Sequence, residues 1–194
     1  MPYHKGKLRT ELGRDEGRVN HPYLDTKGIL TVGTGWNLEA NGIPDSVRSI
    51  LDKEAGYAQL EPGTWLRQIT LWPNDALDAL LDIGISEAEH TLDRFFPEWH
   101  RLCDENNPLG SPGDVRSRAL LNMAFNLGGN LRKFPHFLAA CKAGDWGAAA
   151  MELDVQHSPQ WRADVRDLPG KEGRVDRIMH MILTGTEPDA TMDI

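Results

Sequence analysis

The stretch RDEGRVNHPYLDTKGILTVGTGW, residues 14–36, decides how the N-terminal part of the chain folds. Upstream of it, Leu8, Leu12 and Glu16 are spaced four apart, which places them on one face of a helix. We therefore predict a helix over residues 6–18 whose apolar face ends in an acid. Burial at that position should raise the pKa of the Glu16 carboxyl, although a lone Glu at a helix end is most often a solvated side chain.

The segment after this helix predicts a β-hairpin. His21 and Pro22 should break the helix, and residues 25–28 have the composition of a tight turn with glycine in last place. Residues 29–32 then alternate as a strand. In that strand Thr31 lies on the face opposite to the one that its two neighbours occupy.

Composition limits the function classes. The chain has 194 residues, of which 40% are hydrophobic and 26% charged, as in an ordinary globular domain. A formal net charge of −8 argues against a nucleic-acid partner, whose phosphates need cationic neutralisation. Two cysteines do not make a disulfide framework, and Cys141 is predicted to be a buried apolar residue. We expect a monomer.

The N-terminal residues do not predict a secretion signal. The N-terminus MPYHKGKLRTEL lacks the apolar core of a secretion signal. No run approaches the roughly 20 apolar residues of a membrane span, so stable membrane insertion is not expected. We therefore expect synthesis in a cytoplasm, with a separate exit route for any action outside it.

The rest of the chain predicts mainly helices. Residues 37–85 are weakly patterned, with loops and short helices. A capping box at residues 86–89 opens a helix that continues to about 103, and Pro97 should kink or restart it. The apolar run from Asp114 to Gly128 predicts a central buried helix.

Three more helices are predicted after the central one, from FPHFLAACKAG, from AAAMELDV capped by Gly144-Asp145-Trp146, and from RVDRIMHMILTG. In the last, Val175, Ile178 and Ile182 should face inward. The fold class is therefore mainly α (α+β), with one small sheet near the N-terminus. The predicted organisation is a single domain, 1–194, with these parts: an N-terminal lobe 14–85, an inter-lobe helix 86–104, a helical lobe 105–188 on which residues 1–13 pack, and a tail 189–194. A cleft between two such lobes is where a ligand would bind.

Two acids in different surroundings indicate the chemistry of glycoside hydrolysis. One carboxylic acid must protonate the leaving oxygen, and a second carboxylate must act on water or on the developing positive charge. Glu16, at the end of an apolar face, fits the first role, and Asp25, in a polar turn, fits the second. The hydroxyl of Thr31 could hold a water beside Asp25.

The same residues carry a family resemblance. The pattern Glu-x8-Asp-x5-Thr, with DEG at its start and T-x-G-x-G at its end, resembles the phage lysozymes of glycoside hydrolase family 24. The resemblance extends to ALLNMAFNLG at 119–128, to the two helices that follow, and to the C-terminal run up to Thr184 and Gly185. It covers about 15–36 and 115–186, and it implies a lysozyme-like two-lobed fold.

The resemblance also implies roles. Glu16 would be the general acid, while Asp25 with Thr31 would place the attacking water. Asn126 and Trp161 would contact the sugar. Arg174 would pair with the catalytic Glu and would also belong to the substrate-binding residues. The family cleaves, with inversion, the β-1,4 bond between N-acetylmuramic acid and N-acetylglucosamine in peptidoglycan, and it needs no cofactor or metal.

Two features depart from the family. Trp36 stands where many members have a histidine after T-x-G-x-G, and we expect it to pack instead. The acidic net charge is the second departure, since many phage lysozymes are basic.

Two other classes of wall hydrolase have sequence requirements that this chain does not meet. A zinc amidase would need paired ligands such as H-E-x-x-H, which the sequence lacks. A Cys–His peptidase would need a cysteine at an exposed helix start, and Cys141 is predicted within a helix. A catalytically inactive wall-binding module and a secreted antibacterial effector with the same chemistry remain alternatives. The signal-less chain favours a phage endolysin made in the host cytoplasm, which acts on the glycan strands of the wall after release and lyses the cell.

Overall fold

The computed structural model describes residues 3–55, 71–103, 110–154, 156–164 and 173–188. The chain divides into two compact units. We call residues 9–86 the hairpin unit, and residues 1–8 with 87–194 the helical unit. The predicted lobe boundaries stay a prediction. Predictions on the loops and the tail at 56–70, 104–109, 155, 165–172 and 189–194 lie outside the described residues.

The hairpin unit contains a three-stranded antiparallel sheet in the order β1-β2-β3. The strands are β1 (Val19–Leu24), β2 (Leu30–Gly33) and β3 (Trp36–Asn37). The predicted hairpin and its turn are confirmed. The same unit adds two short helices after the sheet, α2 (Leu38–Asn41) and α3 (Asp45–Ala55).

Strand β1 contains His21 and Pro22, which the sequence predicted only as residues that break the preceding helix. The first helix, α1 (Lys5–Glu16), does end before them, but the chain then becomes a strand. Pro22 is tolerated because β1 pairs with β2 on one side and lies at an edge of the sheet. A register shift between Val19 and Tyr23 marks an irregularity in the same strand.

The next helix that the structure describes also differs from the prediction. It runs without interruption as α4 (Asn74–Phe95), so the capping box at 86–89 lies in its interior rather than at its start. Burial of an apolar face ahead of Ser86 explains the early start, because that face packs in the core of the hairpin unit. The core of this unit contains Val32, Leu38, Val47, Leu51, Trp72, Ala76, Leu77 and Leu80. The chain restarts at Pro97 as a 3-10 helix, Pro97–Cys103.

The helical unit is built around α5 (Pro112–Leu127), the predicted central helix. Ser111 caps its start by accepting from the Asp114 backbone N–H, and Gly128 follows its end with a positive φ of 49°. Most of the helix between those ends is buried. The elements that follow are a 3-10 helix Gly128–Lys133, α6 (Pro135–Ala143), α7 (Trp146–Met151), α8 (Pro159–Asp164) and α9 (Arg174–Thr184).

Helix α9 packs against both α5 and α7. Val175, Ile178 and Ile182 are buried, as predicted, and full burial of such a side chain contributes about 1.5–3 kcal/mol. The helix ends at Gly185, whose φ of +68° is favourable only for glycine. A Cβ added there would lie 2.6 Å from the Pro112 Cβ, so the end of α9 and the start of α5 are in tight contact.

A buried ionic cluster lies at the start of α5. Asp114 is 1% exposed and accepts from the backbone N–H groups of His4 at 2.6 Å and Gly110 at 2.8 Å. Arg118, one turn later and fully buried, places its Nε 3.5 Å from Asp114 Oδ2. Its Nη2 donates to Glu187 at 2.9 Å. Burial lowers the pKa of the Arg118 guanidinium, and the nearby Glu187 opposes that shift.

These elements confirm a mainly α, α+β architecture with one small antiparallel sheet, which is consistent with a lysozyme-like fold. Cys141 is a buried free thiol within α6, as predicted, and burial raises its pKa to about 12. In the part of the chain that the structure describes, none of the helices combines the length and apolar character that crossing a membrane would require.

Candidate active site

Glu16 is the last residue of α1. Leu8 and Leu12, on the same face, are completely buried, whereas Glu16 is half-buried. The predicted arrangement, an apolar helix face that ends in an acid, is therefore confirmed. Gly17 follows with a φ of +76°, which turns the chain from α1 towards β1.

Asp25 organises the turn between β1 and β2. Its Oδ1 accepts from the backbone N–H groups of Lys27 and Ile29, both at 2.8 Å. Its carbonyl accepts from the N–H of Gly28 at 3.0 Å, and Gly28 adopts a φ of +79°. Oδ2 takes no hydrogen bond from any residue that the structure describes. One oxygen thus fixes the carboxylate, while the other remains available.

Thr31 lies in the middle of β2. Its Cα partners are Tyr23 on β1 and Asn37 on β3. Directly opposed residues of antiparallel strands share a face, so these three side chains form one row. Thr31 is 4% exposed, and its hydroxyl donates to the Ile29 carbonyl at 3.0 Å. With its proton committed, the Thr31 oxygen can act only as an acceptor toward a further group.

Tyr23 connects the two acids. Burial, then the charge of Asp25, then the charge of Glu16 raise the pKa of the Tyr23 hydroxyl. Both carboxyl groups therefore lie within electrostatic reach of the same phenol. Sequence reasoning missed this residue, although its position two residues before Asp25 in a strand was a usable signal, because such residues share a face.

Side chains on the opposite face of the hairpin pack in the hydrophobic core of the hairpin unit. Val32 is completely buried in the core of the hairpin unit, and Leu30 and Trp36 pack against that core. The Trp36 Nε1–H donates to the Gly42 carbonyl at 3.0 Å. The expectation that Trp36 packs, in place of a histidine, is confirmed.

In the helical unit, two predicted sugar-binding residues contact each other. The Trp161 Nε1–H donates to Asn126 Oδ1 at 2.8 Å. The Trp161 ring also meets Phe134 edge-on, with ring centroids 5.7 Å apart. Trp161 is only 3% exposed, so its indole is held in one orientation.

A pocket of about 380 Å³ opens beside this tryptophan. Its wall combines apolar groups with polar and basic side chains, which suits an amphipathic ligand. The lining includes Leu127, Lys133, Phe134, His136, Glu152, His157, Ser158 and Trp161. His136 and His157, which are 21 residues apart in sequence, thus contribute to one concave surface.

Arg174 begins α9 and is 5% exposed. Its Nε donates to Asn122 Oδ1 at 2.9 Å, and its Nη2 donates to the Asn122 carbonyl at 3.3 Å. Sequence reasoning missed Asn122, which a polar residue inside the apolar run ALLNMAF could have indicated. The pairing of Arg174 with Glu16 stays a prediction.

The structure thus brings the predicted residues together in two groups. Glu16, Asp25 and Thr31 belong to the hairpin unit, and Asn126, Trp161 and Arg174 belong to the helical unit. A cleft shared by the two groups stays a prediction. In the described ranges, no three His, Cys, Asp or Glu side chains are grouped as a metal site would require.

Comparisons with known proteins give two similarities, and no protein-family model matches the chain. The pre-baseplate central spike protein Gp5 of Enterobacteria phage T4 is 29% identical over 181 residues, which are 90% of this chain but 27% of that protein. The probable T4-type lysozyme 2 of Dictyostelium discoideum is 27% identical over 183 residues, which are 92% of this chain and 95% of that protein. The chain is therefore similar to a lysozyme-named protein along nearly the whole length of both, and these similarities suggest a lysozyme-like family.

Proposed function

We propose that this protein is a muramidase of glycoside hydrolase family 24, which hydrolyses the β-1,4 bond between N-acetylmuramic acid and N-acetylglucosamine in peptidoglycan. The observation that carries the proposal is geometric: Glu16 ends a buried apolar helix face, and Asp25 in the same unit has one oxygen fixed by two backbone N–H groups beside the Tyr23–Thr31 pair. Two carboxyls around one site are the equipment that hydrolysis of a glycosidic bond needs. The similarity to a protein named as a lysozyme supports the same substrate class.

Glu16 serves in this proposal as the general acid. In this role the carboxylic acid supplies the proton for the leaving oxygen, from a half-buried position at the end of an apolar helix face. The acid gives that proton to the glycosidic oxygen as the bond to the anomeric carbon breaks. The sugar that retains the anomeric carbon then carries positive charge, which the attack of water neutralises.

Asp25 and Thr31 place that water. The Thr31 oxygen can only accept, because its proton is committed to the Ile29 carbonyl. Asp25 has one oxygen fixed by two backbone N–H groups and the other available. A water that donates one hydrogen to Thr31 Oγ1 and the other to Asp25 Oδ2 directs its lone pair at the anomeric carbon. Asp25 then takes the proton as the new C–O bond forms, and attack on the face opposite the leaving group inverts the anomer.

Asn126, Trp161 and Arg174 are proposed to bind the substrate. Trp161 lines the pocket of the helical unit, and its bond to Asn126 fixes the indole in place. Held in this way, the indole forms a fixed part of the pocket wall, and a sugar can bind there without ordering this side chain. Arg174 is fixed by Asn122, which orients a permanent positive charge.

We further propose that the natural role is host-cell lysis, with the protein made in the host cytoplasm and acting on wall peptidoglycan after release. Its partner is then the glycan strand, and neither nucleic acid nor a membrane is required. A secreted antibacterial effector would use the same chemistry on a competitor's wall. An inactive wall-binding module would bind the strand and leave it intact.

Digestion of purified peptidoglycan tests the proposal, with the fragments identified by mass spectrometry. We expect fragments with saturated, reducing N-acetylmuramic acid ends from the wild type, and a loss of at least about 10²–10⁴-fold in Glu16→Gln, because proton transfer is removed. Glu87→Gln, the same change at an exposed position on α4, is the matched control and should keep full activity.

Two outcomes would contradict the proposal. Anhydro ends would identify a lytic transglycosylase, which needs no water on Asp25 and Thr31. Binding without fragments from the wild type would identify a wall-binding module.

A further inference from the structure

Tyr23 occupies a position that the two-acid scheme does not use. It lies directly across from Thr31 in the β1–β2 pair, so the two side chains stand side by side on the face opposite the hydrophobic core. Asp25 follows two residues later, at the start of the turn after β1. Tyr23 therefore adjoins the place where the proposal puts the attacking water.

The Tyr23 hydroxyl is a donor that the described part of the chain leaves unused. No hydrogen bond joins it to any of the residues that the structure describes, and the side chain is half-buried rather than solvated. The contrast with Tyr3 is direct, since the Tyr3 hydroxyl donates to Glu89 Oε1 at 2.7 Å. A half-buried donor that the fold leaves unused is available to a ligand.

The charges around Tyr23 keep its proton in place. Burial acts first, and the carboxylates of Asp25 and Glu16 add to it, all raising the pKa of the phenol. The group therefore remains a neutral donor at any pH at which the acids operate. Its ring adds a flat apolar surface of the kind on which sugar rings pack.

We propose that Tyr23 is a substrate-contact residue: its hydroxyl donates a hydrogen bond to an oxygen of the sugar that lies between Glu16 and Asp25, and its ring supports that sugar. A saccharide is the fitting acceptor because its ring, hydroxyl and acetamido oxygens all accept hydrogen bonds. The inference rests on the proposed function for its substrate class. It adds a residue that holds the sugar while the acids act on the bond.

The first test compares Tyr23→Phe with Tyr3→Phe on soluble glycan strands prepared from sonicated peptidoglycan. Tyr23→Phe keeps the ring and removes one neutral hydrogen bond, so kcat/KM should fall about 3- to 10-fold. Its thermal unfolding midpoint should stay at the wild-type value, because the hydroxyl has no partner within the described residues. Tyr3→Phe should show the reverse, with a lower unfolding midpoint and unchanged kcat/KM. Equal kcat/KM for Tyr23→Phe and the wild type would overturn the inference.

A second measurement does not depend on how well the variants fold. Tyrosine labelled with 13C at Cζ reports directly on the phenol oxygen, and the two Phe variants assign the signals of Tyr3 and Tyr23. In Glu16→Gln, which should bind strands without cutting them, added glycan should shift the Tyr23 signal and leave the Tyr3 signal unchanged. A Tyr23 signal that stays still at saturating glycan would overturn the inference.

The two proposals fail separately. A wild type that releases no fragments contradicts hydrolysis, while a glycan-dependent shift at Tyr23 would still identify the phenol as a sugar contact. Fragment release with an unmoved Tyr23 signal supports hydrolysis and removes Tyr23 from the site.

Discussion

Asp25 in the hairpin unit and Asp114 in the helical unit are both aspartates, but they differ in burial and in how many of their carboxylate oxygens the fold occupies. Both carboxylates accept hydrogen bonds from backbone N–H groups, Asp25 in the turn between β1 and β2 and Asp114 in the first turn of α5. Asp114 is 1% exposed, and both of its oxygens are occupied, one of them also by the nearby Arg118. Asp25 is half-buried, and the fold occupies one of its oxygens only.

The difference teaches where to look for chemistry. A buried polar group whose bonds are all made stabilises and orders the chain, and it has nothing left to offer a substrate. A group that is fixed on one side and open on the other is oriented and available at once. Among the residues that the structure describes, the hairpin unit shows the second condition at Asp25 and, in the neighbouring Tyr23–Thr31 pair, at the acceptor side of the Thr31 oxygen and at the Tyr23 hydroxyl.

The same substitution at both aspartates gives the strongest test of this difference. Asp25→Asn should lower peptidoglycan hydrolysis about 10²–10⁴-fold, because an amide cannot take a proton from water. Its unfolding free energy should change little, since the amide oxygen can keep both backbone bonds. Asp114→Asn should lower stability and leave the activity per folded molecule unchanged. Denaturant unfolding and fragment release, measured on the same samples, check both expectations.

Removing the partner of Asp114 should give the largest loss of stability. Arg118→Met keeps most of the side-chain volume but leaves a buried carboxylate without its cation, which costs about 3–5 kcal/mol. The double variant with Asp114→Asn should recover part of that loss, because the stranded charge is gone. A single variant as stable as the wild type in urea unfolding would show that the cluster contributes nothing.

The two units also differ in how tightly their glycine turns are packed. Gly185→Ala brings a Cβ within 2.6 Å of the Pro112 Cβ at a φ of +68°, so strain and overpacking together should cost about 3 kcal/mol. Gly28→Ala has a φ of +79° with nothing within 4 Å, so only backbone strain of about 1–2 kcal/mol remains. Thermal unfolding of the pair measures the difference, and an equal loss in both would contradict it.

Two variants of Thr31 distinguish the role of its hydroxyl from the role of its methyl group. Thr31→Val keeps the shape and removes the acceptor for water, and we expect a fall of about 10-fold in kcat/KM, as for one lost hydrogen bond. Thr31→Ser keeps the hydroxyl and should stay near the wild type. Steady-state rates on glycan strands distinguish the two, and a Val variant as active as the Ser variant would remove Thr31 from the water site.

The smallest effect is expected at the exposed edge of the ionic cluster. A hydrogen bond from Lys7 and the charge of Arg118 lower the pKa of the Glu187 carboxyl, although burial acts the other way. The resulting stabilisation is complete above the unfolded value of 4.5 and is lost as pH falls through the lower folded pKa. Because the Glu187 side chain is 42% exposed, solvent screens it, and the contribution should be below about 1 kcal/mol. Urea unfolding at about pH 6 and about pH 3 should therefore show a slightly smaller acid loss for Glu187→Gln than for the wild type.

The parts of the site that depend on residues close in sequence could be predicted from turn composition and helical spacing. The Asp25–Gly28 turn depends on neighbouring residues, and the buried face of Leu8 and Leu12 depends on helical spacing, so both were readable. Strand β1 was not, because Pro22 indicates a break unless the strand is known to lie at an edge. The early start of α4 was missed for a similar reason, since tertiary burial overrides a capping signal.

The contacts that fix the candidate site required coordinates. Nothing in the spacing of Asn126 and Trp161 predicts that one accepts from the other, and nothing near Arg174 points to Asn122, 52 residues earlier. The open oxygen of Asp25 was also unreadable, because a sequence shows which groups can bond but not which bonds a fold leaves unmade.

The edge position of Pro22 has a consequence for self-association. A strand that ends a sheet invites another chain to extend it, and the resulting ladders grow into aggregates. Here Pro22 has no N–H to offer a newcomer, and the carbonyl of Asn20 already accepts from the backbone of Trp72 at 2.6 Å. The hairpin can therefore keep hydrogen-bonding groups available to a ligand, while the edge of β1 beside them is poorly suited to pairing with a strand of another copy.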